Sequence, residues 1–289
     1  MPPHAGSRLT TAACPALRWR LGRNHWRHDR DEGFRPADYA VDGVPDRLAR
    51  AFVQSEHYSG TYPFAQERIG LFRGQELVGV AIFSTPINGN ALPLYAGTEA
   101  KAGLELGRFV LLDQVPYNGE SYFLAAAMRL LRQARPELAS VLAYSDPMPR
   151  MARDGSVVMP GHIGIAYQAT NGRYVGRAAS KSLYLTAGGQ ALSSRALSKI
   201  RLQEHGAGSA EKRLVHLGAP ARQFGEDPRV WVERALNSGA FRQVRHPGNH
   251  VYVWSLERSS LKAGQSRRPA PARPYPKSLD ADQRSLFAD

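Results

Sequence analysis

Leu104-Glu105-Leu106-Gly107-Arg108-Phe109-Val110-Leu111-Leu112-Asp113 reads as a strand whose centre is almost wholly apolar, which predicts burial on both faces of a sheet. The loop Pro116-Tyr117-Asn118-Gly119-Glu120-Ser121 hands it over to a helix. There Phe123, Leu124, Ala127, Met128 and Leu131 fall on one face, with Arg129, Arg132 and Gln133 opposite. Pro136 closes the helix, and Ser140-Val141-Leu142-Ala143-Tyr144 is a second short buried strand, stopped by Ser145-Asp146-Pro147. A strand–helix–strand unit at the centre of the chain sets an α/β expectation.

Upstream, Leu48, Ala49, Phe52 and Val53 recur at helical spacing. A hairpin follows, with Ile69, Leu71 and Phe72 leading into Arg73-Gly74-Gln75, and Leu77, Val78, Val80, Ile82 and Phe83 leading out. Downstream, the Pro-, Arg- and Met-rich stretch 148–161 reads as an exposed loop, and 162–171 as a short helix. Strands are expected around Tyr174–Val175 and Leu183–Leu185, helices over 193–203 and 228–237, and a last strand over Val251-Tyr252-Val253-Trp254. The fold class is α/β (α+β): a mixed, mostly antiparallel sheet flanked by helices. The organisation expected is a basic N-terminal arm over 1–35, a catalytic core over 36–188, a basic C-terminal extension over 189–260, and a disordered Pro/Arg-rich tail over 261–289.

Lys and Arg number 38 against 25 Asp and Glu, a formal net charge of +13. The balance is +3 over 1–50, −1 over 51–170 and +11 over 171–289. A near-neutral middle beside a basic C-terminal part suggests a chemical core joined to a surface for polyanions, with nucleic acid as the leading partner. No apolar run approaches the length of a membrane span, and no secretory signal opens the chain, so no membrane partner is expected. The single cysteine, Cys14, excludes an internal disulfide framework and fits a reducing cytoplasm.

The N-terminus of a helix presents unpaired N–H groups and the positive end of its dipole, and can hold a pyrophosphate. Asn118, Gly119 and Ser121 suit such a turn, and Arg108 on the preceding strand adds a cation. The same residues also make an ordinary helix cap.

The stretches Glu105 to Leu111 and Pro116 to Ser121 are similar to the donor-binding strand and loop of GNAT-type acyltransferases. Asn-Gly-Glu-Ser stands where those enzymes usually carry Arg/Gln-x-x-Gly-x-Gly/Ala. Further stretches resemble a narrower family, the Mom proteins of Mu-like phages. They are His57-Tyr58-Ser59-Gly60, Ala143-Tyr144-Ser145-Asp146-Pro147, Gly161 to Asn171, and Arg245-His246-Pro247-Gly248-Asn249-His250. The resemblance covers about residues 40–255. It implies a GNAT-like fold and a DNA-modification enzyme that places a glycinamide-type (methylcarbamoyl) group on adenine N6, protecting DNA from restriction endonucleases. It also implies an acyl-CoA or related donor, double-stranded DNA as partner, and a host-cell cytoplasmic location.

By the same resemblance, Arg108 and Ser121, with Asn118 and Gly119, bind the donor. His57, Tyr58 and Asp146 form the polar cluster associated with activity and Fe(II). His and carboxylate are suitable Fe(II) ligands, and Asp146 is equally suited to serve as the base for the exocyclic amine. Tyr167 stands where a general-acid Tyr is common. Each residue also has a structural reading: His57 closes a helix, Tyr58 and Tyr167 pack as aromatics, and Asp146 before Pro147 forms a turn. Arg173, Arg177 and Lys181 on one strand, and Arg195, Lys199 and Arg201 on one helix, are the candidate DNA-facing cations. Two other functions fit the residues: a GNAT N-acetyltransferase acting on a protein or small-molecule amine, and a non-catalytic DNA-binding protein on an acyltransferase scaffold.

Overall fold

The computed structural model describes residues 18–20, 23–25, 33–57, 59–116, 118–159, 161–256 and 268–277. A short hairpin of β1 (Arg18–Arg20) and β2 (Arg23–His25) precedes β3 (Tyr39–Gly43), α1 (Asp46–Glu56), β4 (Ala65–Arg73) and β5 (Glu76–Ser84). A π-helical turn, Leu92–Ala96, leads to β6 (Gly103–Leu111), α2 (Gly119–Ala134) and β7 (Ser140–Ser145). The hairpin β8 (Arg150–Met151) and β9 (Val157–Met159) is followed by α3 (Ile165–Ala169), β10 (Arg173–Arg177) and β11 (Lys181–Leu185). The chain then runs through α4 (Ser194–Leu202), α5 (Ala207–His216) and α6 (Pro228–Leu236), and returns as β12 (Arg242–His246) and β13 (His250–Ser255).

The main sheet has seven strands in the order β10-β13-β7-β6-β5-β4-β3. Every neighbouring pair is antiparallel except β6 and β7, which run parallel. A parallel pair needs a crossover, and α2 supplies it. The apolar face of α2 (Phe123, Leu124, Ala127, Leu131) packs on Leu104, Leu106, Val141 and Ala143 from the middle strands. Each such fully buried side chain stabilises the fold by roughly 1.5–3 kcal/mol relative to exposure. On the opposite face, α1 covers Val80 and Ile82 through Ala49 and Val53, and the π-helical turn covers Leu142, Val251 and Val253. This is the mixed, mostly antiparallel sheet flanked by helices that the sequence predicts.

Residues 192–241 form a second, smaller core, in which Leu197, Ile200, Leu214, Trp231 and Val232 of three short helices pack together. The buried Trp231 indole donates to the Pro220 carbonyl at 2.9 Å. This helical module hangs on an antiparallel ribbon made by β11 and β12.

Several expectations are corrected. The stretch over 189–260 is not wholly an appended extension, because β13 inserts into the main sheet between β10 and β7. Its side chains from Val251 to Val253 are too apolar to lie anywhere else. The stretch 148–161 is not a plain exposed loop: it holds β8 and β9, and Met148 and Met159 are buried. The expected helix over 162–171 is confined to α3, since Gly161 and Gly164 take left-handed φ values of 76°. The tail is ordered over 268–277, where the Arg273 N–H donates to the Tyr174 carbonyl at 2.8 Å and Tyr275 packs on the main core. The remainder of the expected tail, and most of the N-terminal arm, lie outside the described residues.

Candidate active site

The parallel ladder between β6 and β7 is short. It pairs Gly103 with Ser140, Leu104 with Val141 and Glu105 with Leu142, and ends there. The cause lies in β6, where the pairing with β5 jumps from Ile82↔Arg108 to Phe83↔Leu106. Gly107 is thus the extra residue of a β-bulge, and bulges bend the strand that carries them. A Cβ at Gly107 would stand 2.6 Å from Ser84 Oγ, so glycine is required for the bulge to pack. The strands therefore part toward their carboxyl ends, where open α/β sheets bind ligands.

The N-terminus of α2 sits at that end, just beyond β6. Asn118 precedes it with φ 70°, and its side chain makes no capping bond to the first turn. The Ser121 hydroxyl donates back to the Asn118 carbonyl at 3.1 Å, which leaves its oxygen able to accept or to turn toward a donor molecule. Gly119 is buried, and a Cβ there would fall 2.4 Å from Val115 Cγ1. Its glycine identity is thus explained by packing on Val115.

Leu104 and Leu106 point into the α2 core, so Glu105 points to the other face. There it lies where the ladder ends, beside Arg108 and Tyr144. No hydrogen bond or ion pair engages its carboxylate among the described residues. Burial pushes the Glu105 carboxyl up to about 7, with the Arg108 charge opposing. Burial likewise raises the Tyr144 phenol, helped by Glu105 and Tyr95. Arg108 clamps the loop after α1, its Nε donating to the Thr61 carbonyl at 2.9 Å and Nη2 to Thr61 Oγ1 at 2.5 Å.

His57 closes α1, with its N–H on the Val53 carbonyl. Its ring nitrogen Nδ1 accepts the Ser59 N–H at 3.2 Å, which assigns the ring proton to Nε2 in the neutral form. Burial, then the charges of Arg108 and His162, push the His57 imidazole down to about 3, so it is neutral at physiological pH. Burial also lowers the His162 imidazole, against the pull of Asp146. His57 thus feels the charge of His162, and His162 that of Asp146.

Asp146 ends β7 and is 7% exposed. Its Oδ1 accepts His246 Nε2–H at 2.9 Å and the Met148 N–H at 3.0 Å, and its Oδ2 meets the Arg150 guanidinium. Burial alone would raise this carboxyl, but His246, Arg150 and the Met148 amide together hold it below the usual carboxylate range. His246 in turn accepts the Gly248 N–H on Nδ1 at 3.0 Å. Asp146 therefore ties the end of β7 to the β11–β12 ribbon.

Of the three groups that the resemblance assigns to Fe(II), the structure describes His57 and Asp146. Among the described residues no three His, Cys, Asp or Glu side chains stand close enough to hold a metal ion. The oxygens of Asp146 are already engaged, and the Arg150 cation beside them would repel a dication. Tyr58 lies outside the described residues.

Tyr167 is not among the polar groups on the Glu105 face. It packs in the α2-face core, edge-on to His162, Tyr252 and Trp254, with centroids 6.4, 5.5 and 5.6 Å away. Of the expected DNA-facing cations, Arg173 turns inward and donates to the Tyr95 and Ala270 carbonyls. Arg195 pairs with Glu204 at 2.5 Å. Lys181 lies exposed on the ribbon, Lys199 and Arg201 lie on α4, and Arg177 is half-buried at the end of β10. The residue to which the sequence alone assigns no role is Glu105. Its signal is a lone carboxylate inside an otherwise apolar strand, a position that costs free energy unless it has a use.

Two parallel strands of a mixed, mostly antiparallel sheet thus part over a helix N-terminus, with a carboxyl, an imidazole and a guanidinium on one side of the gap. The chain belongs to the Mom protein family, whose family model matches residues 38–277. It is similar to "Methylcarbamoylase mom" of Escherichia phage Mu, with 27% identity over 146 residues. That alignment spans 50% of this chain and 56% of the relative's length. Among solved structures, a tandem GNAT protein from the clavulanic acid biosynthesis pathway matches with 10% identity and a TM-score of 0.39, covering 77% of this chain and 100% of that one. Among the described residues no helix is long and apolar enough to cross a membrane.

Proposed function

We propose that the protein modifies DNA in the host-cell cytoplasm, joining a glycinamide-type (methylcarbamoyl) group to adenine N6 and so shielding the DNA from restriction endonucleases. The observation that carries this reading is the Glu105 carboxyl, without a hydrogen-bond or ion-pair partner among the described residues and half-buried where β6 and β7 part. Membership of the Mom protein family and similarity to the phage Mu methylcarbamoylase support the DNA-modification role. The net charge of +13 supports a polyanionic partner.

In this reading an activated donor lies along the opening, its phosphates at the positive N-terminal end of α2 and on the Ser121 hydroxyl. Adenine N6 is engaged in pairing within the duplex, so the base leaves the stack to reach Glu105. The N6 lone pair attacks the methylene carbon of the donor's activated carbamoylmethyl group and forms the N–CH2 bond, the leaving group on that carbon departs with its electron pair, and the surplus N6 proton passes to Glu105. A carboxyl that titrates near 7 is matched to that transfer at cellular pH. Arg108 and neutral His57 shape the floor, while Asp146 acts as a positioning residue through His246 and Arg150.

Restriction digestion tests the proposal. Plasmid from cells expressing the protein resists endonucleases that have adenine in their sites, and plasmid from cells expressing Glu105→Gln is cut normally. Equal cutting of the wild-type sample would reject the reading.

A further inference from the structure

We propose that the β11–β12 ribbon is the element that docks on duplex DNA, with Lys181, Arg242 and Arg245 taking backbone phosphates. This rests on the DNA-modification reading and adds the surface that delivers the duplex to the opening. The ribbon pairs Lys181 with His246, Ser182 with Arg245, Leu183 with Val244, Tyr184 with Gln243 and Leu185 with Arg242. Lys181, Ser182, Arg242, Gln243 and Arg245 are all exposed.

Charge distinguishes this ribbon from the helical module beside it. Residues 173–191 and 238–256, which carry the ribbon and its ends, contain no Asp or Glu. Among the described residues none of the three ribbon cations has a carboxylate partner: Arg242 reaches the Met151 carbonyl, and Arg245 reaches Ser180 Oγ. In the helical module three of the six arginines over 192–241 are ion-paired. Arg195 pairs with Glu204, Arg222 with Glu211 and Arg234 with Glu226. A paired arginine must give up its carboxylate before it can take a phosphate.

Shape agrees with charge. Lys181 and Arg242 stand at opposite ends of the ribbon, each exposed although it shares a face with the buried His246 and Leu185. Four residues of strand separate them, about 13 Å. The B-DNA major groove is about 12 Å wide and admits a two-stranded ribbon. The other face presents Arg245 beside Ser182, with Gln243 one pair further on as a side chain able to reach a base edge.

The ribbon is also fixed to the chemistry. His246, the last residue of β12, is bonded to Asp146 at the carboxyl end of β7. A duplex seated on the ribbon is thereby held in register with the opening between β6 and β7.

The test is fluorescence anisotropy with a labelled 20-base-pair duplex between 50 and 200 mM salt. It compares the wild type, the ribbon variant Lys181→Ala/Arg242→Ala/Arg245→Ala, and the α4 variant Arg195→Ala/Lys199→Ala/Arg201→Ala. Removing one cation from a phosphate lowers the salt slope by about 0.9, so the ribbon variant loses about 3 from its slope and on the order of a hundredfold in affinity near 0.1 M salt. The α4 variant keeps the wild-type slope. Unchanged binding by a folded ribbon variant, or a loss confined to the α4 variant, overturns the assignment. Wild-type protein that does not bind duplex at all overturns the DNA reading itself. Circular dichroism and thermal unfolding check that both variants are folded, and the single substitutions, each lowering the slope by about 1, replace any that is not.

Discussion

Replacing Glu105 with glutamine keeps its shape and removes its proton chemistry, and the stability of the two proteins should diverge with pH. The Glu105 carboxyl titrates near 7 in the folded protein against 4.5 for an ordinary glutamate. The folded state therefore holds a proton over a range in which the unfolded chain releases it. This stabilising contribution is full below pH 4.5 and is lost as pH rises through 7. At about 1.4 kcal/mol for each tenfold change in proton affinity, the full loss is about 3 kcal/mol. The amide of the Glu105→Gln variant does not titrate, so the variant gains on the wild type by about 1 kcal/mol at pH 5 and about 3 kcal/mol at pH 8. Nearby groups do not confuse the comparison, because the Arg108 guanidinium stays charged, Tyr144 is raised away from this range and His57 is held neutral. Urea unfolding of both proteins at the two pH values measures the difference. A gap that stays constant from pH 5 to pH 8 would mean that Glu105 is solvated like a surface glutamate, and the reasoning that makes it a base would fail.

Two other substitutions probe the supports of the site. Asp146→Asn leaves the buried Arg150 guanidinium without its counter-charge and should cost about 3 kcal/mol in urea unfolding at pH 7. Because the Asp146 carboxyl is held below its ordinary 3.8, this advantage of the wild type is present above pH 3.8 and shrinks on acidification through the folded value. Gly119→Ala drives a Cβ to 2.4 Å from Val115 Cγ1 and should lower stability by about 1–3 kcal/mol. Adding Val115→Ala should recover part of that loss, a coupling that a double-mutant cycle would read.

Periodicity makes much of the architecture legible in the sequence. The helix carrying Phe123, Leu124 and Leu131 and the hairpin turning at Arg73-Gly74-Gln75 both form where the pattern places them. What escapes is long-range or irregular. The strand over Arg242–His246 alternates weakly, because its outward residues are Arg242, Gln243 and Arg245 and its pairing partner lies some sixty residues earlier. Helix α5 is hidden because Gly206 and Gly208 interrupt its start, although Leu214 anchors it in the second core. Asp146 is recognisable as unusual, but its engagement by His246 depends on a contact 100 residues apart in sequence that no local motif encodes. The role of Glu105 depends on the bulge at Gly107, which opens the strands beyond it and is visible only in the pairing register.

The most direct test of the account is mass spectrometry of nucleosides from plasmid DNA of cells expressing the wild type or Glu105→Gln. The account predicts a new, heavier deoxyadenosine with the wild-type protein and none with the folded, soluble variant. Deoxyadenosine left unchanged by well-expressed, soluble wild-type protein would contradict DNA modification. The heavier species appearing equally with Glu105→Gln would contradict the assignment of the base.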